Sequence, residues 1–190
     1  LPMAHAEAFT AAEVSALLGV DEKVLRKEIE VGVFDDRTPV RFSFGEAIYI
    51  AAMAALGVRI AAVEERRMLR ERIEEAVTSR RRSKVVSISQ VFELHLDALV
   101  GEVSDRIDRF EKWKRHRVVE DEKILAGEPV FRGSRLSLRN VGEMILRGDA
   151  RLTRELREDY PYLTEEDIEF APKFTQAYPR RGRPREAPAR

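Results

Sequence analysis

Residues 10–32, TAAEVSALLGVDEKVLRKEIEVG, carry the reading that decides the fold; with Phe9 they form two short helices around a turn over 9–31. Thr10 followed by Glu13 is a capping box, in which the hydroxyl accepts from the third helical amide and the carboxylate from the cap's own amide. Val14, Leu17 and Leu18 make one apolar face, and Gly19 stops the first helix. Asp21 caps a second helix, with Val24, Leu25 and Ile29 expected inward, Lys23, Arg26 and Lys27 outward, and Gly32 at its end. A recognition helix presents polar side chains to base edges while its other face is buried on a partner helix, which this arrangement allows. An ordinary helical hairpin with a solvated basic face has the same pattern, so both readings stay open at this point.

Working outward, Phe34–Ser43 holds an Asp35-Asp36 turn signal, then Pro39 and the β-prone Val40-Arg41-Phe42, which predicts a small wing or hairpin. Residues 44–56 read as a buried apolar helix, with Phe44, Ile48, Ile50, Ala51 and Leu56. Gly57 breaks it, and 60–79 follow as a charged amphipathic helix with Leu69, Ile73, Ala76 and Val77 on one face. Over 85–97 the period changes to two. Val86, Ile88, Phe92, Leu94 and Leu96 alternate with polar residues, as in a half-buried strand or strand pair bent near Gln90. Helical spacing returns over 101–114, with Val103, Ile107, Phe110 and Trp113. Short β pieces punctuated by Gly127, Pro129 and Gly133 fill 117–136. Helices are predicted at about 138–147, 151–159 and 165–177, the last capped by Thr164 and kinked or shortened by Pro172. After Tyr178 the chain is Pro, Arg, Gly and Ala, which cannot build a core.

The fold class is therefore mainly α with small β elements. An N-terminal helix-turn-helix unit over 9–80 is joined by a strand–helix connector over 84–116 to a three-helix domain with a short β unit over 117–178, then a tail over 179–190. The domain boundary falls near 80–84 or near 116.

Acids and bases balance, 34 against 34, within a chain of 190 residues, yet arginine gathers at 80–84 and 180–190. Sorted charge of this kind permits contact with a polyanion despite zero net charge. The absence of cysteine excludes a disulfide framework and thiolate metal sites and suits a reducing cytoplasm. No apolar run is long enough to span a bilayer, and no leader pattern opens the sequence. His5, His95 and His116 stand far apart, and no phosphate-binding glycine loop or nucleophile elbow occurs, so no enzyme chemistry, metal or cofactor is expected. Glu64-Glu65 and Glu74-Glu75 read as solvated faces, Trp113 as core, and Arg80-Arg81-Arg82 with Lys84 as a solvated linker in preference to a phosphate contact.

Glu13–Val20, then Leu25-Arg26 and Glu30–Val33, resemble the winged helix-turn-helix of MerR-type regulators, with Arg41-Phe42-Ser43 at the wing and Gly57–Ile60 at the following turn. The resemblance covers roughly 9–78 and implies Arg26 as a DNA contact and Arg41 as a wing contact to phosphate. Lys23 and Lys27 join them on grounds of exposure. The wing here is short and acidic, which repels phosphate.

Ile124–Leu136 (ILAGEPVFRGSRL) and Asp159–Ile168 (DYPYLTEEDI) together resemble the small helical domain of unknown function numbered 433, found in VapB-type antitoxins. That resemblance covers about 118–178. Arg135 is placed as a structural tie between the β unit and the helices. The stretch Gly148–Pro161 is about two residues longer than the family pattern.

Arg180-Arg181-Gly182-Arg183-Pro184-Arg185 resembles an AT-hook core, which fits a narrow minor groove. The antitoxin resemblance implies another use: Arg180, Arg181, Arg183 and Arg185 entering the carboxylate pocket of a PIN-fold nuclease toxin through bidentate pairs. A solvated end with no partner is the third reading.

The functional expectation is a non-enzymatic cytoplasmic antitoxin. It would inhibit a PIN-fold ribonuclease toxin and repress its own operon, acting as a homodimer or a hetero-oligomer with toxin. Phe110, Trp113 and the strand region are the candidate dimer seam. A MerR-type regulator sensing a small molecule, and a scaffold binding no DNA, are the alternatives.

Overall fold

The computed structural model describes residues 8–56, 62–79, 84–88, 93–148 and 150–180. In chain order these form α1 (Ala11–Leu18), α2 (Glu22–Glu30), α3 (Phe44–Leu56), α4 (Val63–Thr78), β1 (Val85–Ser87), β2 (Glu93–His95), α5 (Asp97–Arg117), β3 (Val118–Val119), β4 (Val130–Phe131), α6 (Leu138–Leu146), α7 (Ala150–Asp159) and α8 (Glu165–Ala177). The protein is mainly helical with two small antiparallel sheets. β1 pairs with β2 in the register Val86↔Leu94, and β3 with β4 in the register Val118↔Phe131.

Local signals account for most helix starts. Thr10 and Glu13 form the expected capping box, with the Thr10 amide donating to Glu13 Oε2 at 2.8 Å and the Glu13 amide to Thr10 Oγ1 at 3.1 Å. Thr164 and Asp167 repeat it ahead of α8. Ser43 and Glu46 do the same ahead of α3, with bonds of 2.7 and 3.0 Å. Gly19, at φ +71°, closes α1 in a left-handed turn that side chains with a Cβ adopt only with strain.

The buried side chains form one continuous cluster, from Val14 in α1 to Phe174 in α8. Its centre is aromatic. Trp113 lies 5.8 Å from Phe110, 5.6 Å from Phe170 and 6.3 Å from Phe174. Phe110 and Trp113 are thus spent inside the protomer against α8 and have no surface to offer a dimer seam. α1 packs across α8 more extensively than against its sequence neighbour α2. Tyr178, at the end of α8, donates to Glu13 Oε1 at 2.7 Å and accepts from Lys114 Nζ at 2.9 Å. The boundary expected at 80–84 falls outside the described residues apart from Lys84, whose ammonium donates to the carbonyls of Ala76, Val77 and Ser79 and so caps the end of α4.

Several expectations are corrected. Residues 34–43 form no hairpin. Phe42 instead bridges to Phe9, with N–H to O distances of 2.7 and 2.8 Å, because Phe34 and Phe42 turn into the core and stack edge to face 5.1 Å apart. Arg135 is exposed and its side chain pairs with no described residue. The β unit is held by Arg132, which donates to the His116 and Arg115 carbonyls, and by Arg139, which pairs with Glu128 at 3.1 Å and donates to the Tyr178 carbonyl. Pro172 lies inside an unbroken α8, since the burial of Phe170, Ala171 and Phe174 outweighs one missing helical hydrogen bond. Glu74 is no solvated face. It accepts from Ser43 Oγ at 2.7 Å and from Arg70 Nη1 at 3.3 Å, in a part-buried network that includes Glu46 and Arg37.

Candidate nucleic-acid interface

α2 is presented to solvent by a frame that holds its inner side. Leu25 is 1% exposed, and Ile29 packs half-buried against the same cluster. Glu28, on the flank, accepts from Arg66 of α4 at 3.0 Å. Below the helix, Arg67 donates twice to the Gly32 carbonyl, at 3.0 and 2.8 Å, and Gly32 itself is left-handed at φ +79°. Asp21 caps the other end by accepting from the Lys23 amide at 2.8 Å. The turn from α1 is tightened by Ser15 Oγ donating to the Val20 carbonyl at 2.6 Å. The helix is thus fixed at both ends and along one side, with the other side uncovered.

Lys23, Arg26 and Lys27 all lie on that uncovered side. Arg26 pairs with Glu22 one turn back at 2.9 Å, both groups being well exposed, so the pair is weak and the guanidinium is available to exchange partners. No described residue pairs with Lys23 or Lys27. Arg41 is placed differently from the wing contact expected of it: it donates to the Ala8 carbonyl at 3.4 Å and lies 3.9 Å from Glu13, so it fastens the segment before α1 while remaining about half exposed. Glu13 is itself held ionised. Burial would raise its carboxyl, but the Thr10 amide, Tyr178 and Lys114 outweigh that and its pKa falls below the ordinary value.

The sequence reading placed Val24 inward, and the structure reverses this: Val24 is 51% exposed, on the same side as Lys23 and Lys27. A signal was present. The residue one turn after Leu25 is the apolar Ile29, whereas the residue one turn after Val24 is the charged Glu28.

Near the end of the described chain, Arg180 Nη2 donates to Asn140 Oδ1 at 2.7 Å and to Glu128 Oε1 at 3.3 Å, which leaves the guanidinium half exposed on the surface of the three-helix region. Arg181, Arg183 and Arg185 lie outside the described residues, as do Arg80–Arg82 and the Gly57–Ile60 turn. Beside Arg180, an open groove of about 870 Å³ is lined by Lys114, Arg115, Val118, Arg139, Phe174 and Tyr178, among others. Ala126 in its lining, and Leu125 before it, have φ of +55° and +47°, conformations that cost a side chain with a Cβ about 1–3 kcal/mol. These residues are far from α2 in the chain.

The fold and these surfaces define a mainly helical protein with small β elements and an exposed helix near its N-terminus that carries Lys23, Arg26 and Lys27 beside Glu22, Glu28 and Glu30. Residues 118–175, from β3 through most of α8, match the model of a family described as protein of unknown function (DUF433). No curated protein and no solved structure matches the chain.

Proposed function

We propose that this protein is a DNA-binding antitoxin of the VapB type, with a MerR-like N-terminal unit, that represses its own operon and inhibits a PIN-fold ribonuclease. The observation that carries the DNA-binding half is α2: a capped helix, braced by Arg66 and Arg67, whose open side holds Lys23, Arg26 and Lys27. A helix of this kind enters the major groove with its first turns against the base edges. In a two-fold dimer, two such helices read half-sites about 34 Å apart. The nuclease-binding half rests on the arginine series Arg180, Arg181, Arg183 and Arg185 and on the DUF433 match beside it.

Two experiments test it. Binding to the duplex upstream of the gene is measured at two salt concentrations, with and without Lys23, Arg26 and Lys27 changed to alanine. The native protein is expected to weaken steeply with salt, and each phosphate-contacting cation removed is expected to flatten the slope by about one unit. Salt-independent or absent binding sinks the DNA-binding half. Co-expression with the neighbouring gene product tests the other half: a nuclease that stays lethal beside the full-length protein removes the antitoxin assignment. The groove at Lys114 and Tyr178 favours a second reading, a regulator sensing a small molecule, which predicts DNA affinity that responds to a metabolite extract and no toxin partner.

A further inference from the structure

Val24 stands on the open side of α2 beside Lys23 and Lys27, with Glu28 one turn on toward the flank. Residues along a helix advance by about 100° each, so Lys23, Lys27 and Val24 follow one another around the open side within about 100° of arc, with Leu25 and Ile29 opposite. Val31, 36% exposed, continues the apolar line seven residues on, past the end of the helix. A β-branched residue is a poor choice for a solvated helix position, since it loses side-chain freedom there without burying anything.

The surroundings say what can cover it. α2 carries Glu22, Glu28 and Glu30 as well as Lys23, Arg26 and Lys27, but Glu22 is paired with Arg26 and Glu28 with Arg66, which leaves Lys23 and Lys27 as the cations that flank Val24 toward a polyanion, and the fixed frame under α2 leaves the first turns free to approach one. Among the groups that a DNA duplex offers, the apolar one in the major groove is the C5-methyl of thymine. Val24 lies in the first turn of α2, where a recognition helix meets base edges; Val31, at the far end, does not. We infer that Val24 is a specificity-determining residue that packs on a thymine methyl group, so that the sequence preferred by this protein has a thymine at a fixed place in each half-site. The inference rests on the DNA-binding reading above and goes beyond it by assigning a base.

The experiment uses the full chain. Duplexes are selected from a random-sequence pool, and each thymine of the winning duplex is then replaced in turn by deoxyuridine, which removes the methyl and nothing else. At one position per half-site, wild-type affinity is expected to fall about fourfold, the effect of losing one buried methyl-sized group. Val24→Ala is expected to bind thymine and deoxyuridine duplexes equally, at the weakened level, with unchanged circular dichroism because the side chain lies outside the core. Lys27→Ala is expected to weaken both duplexes alike and keep the fourfold difference. If the wild type binds every deoxyuridine duplex as tightly as the parent, or if Val24→Ala retains the discrimination, the inference is overturned while DNA binding stands. If no duplex is enriched at low salt, both fall, and the strip formed by Lys23, Val24 and Lys27 belongs to an acidic protein surface instead.

Discussion

Asp167 is fully buried, yet its carboxylate is met from three directions: by the Trp113 indole N–H at 2.8 Å, by Arg117 Nε at 2.9 Å with a second, shorter bond from Nη2, and by the Thr164 amide at 2.8 Å. Burial alone would raise its pKa; the hydrogen bonds from Arg117, Thr164 and Trp113 outweigh that and hold it below the ordinary carboxylate range. In return, the Asp167 hydrogen bond raises the Arg117 guanidinium. Because the folded pKa is depressed, the stabilisation is present above the unfolded value, near pH 4, and is lost as pH falls through the folded one. Asp167→Asn should therefore destabilise by about 3–5 kcal/mol at pH 7, since it strands Arg117 beside a neutral group. It should also flatten the fall in stability below pH 4. Urea melts at pH 7 and pH 3, following Trp113 emission, check both; an unchanged acid limb in the variant would show that another carboxylate controls it. Tyr178→Phe is the milder companion: it removes the donor to Glu13 and the acceptor for Lys114, and is expected to cost about 1–2 kcal/mol in the same melts.

At the scale of elements, α6 and α8 cross where Gly142 faces Ala171 and Thr175. A Cβ at Gly142 would come within 2.6 Å of the Ala171 carbonyl oxygen, a backbone atom that cannot swing aside. Gly142→Ala is accordingly expected to destabilise by about 1–3 kcal/mol despite the better helix propensity of alanine, as thermal melts can show. Gly148→Ala, which meets no atom within 4 Å, would be penalised only for its left-handed φ of +73° and should cost less. Helix starts were open to reading because each cap is a local matter of three or four residues. Thr10–Glu13, Asp21 and Thr164 are legible in the sequence as caps, and Ser43–Glu46 carries the same signature. The wing expected over 34–43 does not form because a β-prone triplet acquires a partner only in three dimensions, and here the partner is Phe9 rather than a returning strand.

At the scale of the whole molecule, the N-terminal helices and the DUF433-matching region share one core. α1 lies across α8, and Arg106 of α5 donates to the Leu17 carbonyl at 3.2 Å. One cooperative unfolding transition is expected. Trp113 emission should report the rear of the core, and hydrogen exchange at α3 amides the front, with the same midpoint. Two separated transitions would show that the interface between α1 and α8 is too weak to couple the halves. The coupling also runs close to α2: Tyr178, at the end of α8, is one hydrogen bond from Glu13 of α1, the helix that precedes α2.

What the amino-acid order determined by itself was everything settled within a turn or two of chain: helix and strand segments, their caps, the left-handed glycines, and the outward placing of Lys23, Arg26 and Lys27. Those depend on short-range sterics and hydrogen bonds, which a linear pattern contains. Only the tertiary structure decided that Val24 is exposed, that Phe110 and Trp113 are consumed by α8, that Arg117 and not Arg135 meets the rear helices, and that α1 leans on α8, more than 140 residues on along the chain. Each of these turns on which surface another element happens to cover, and burial is a property of pairs of elements that lie far apart along the chain.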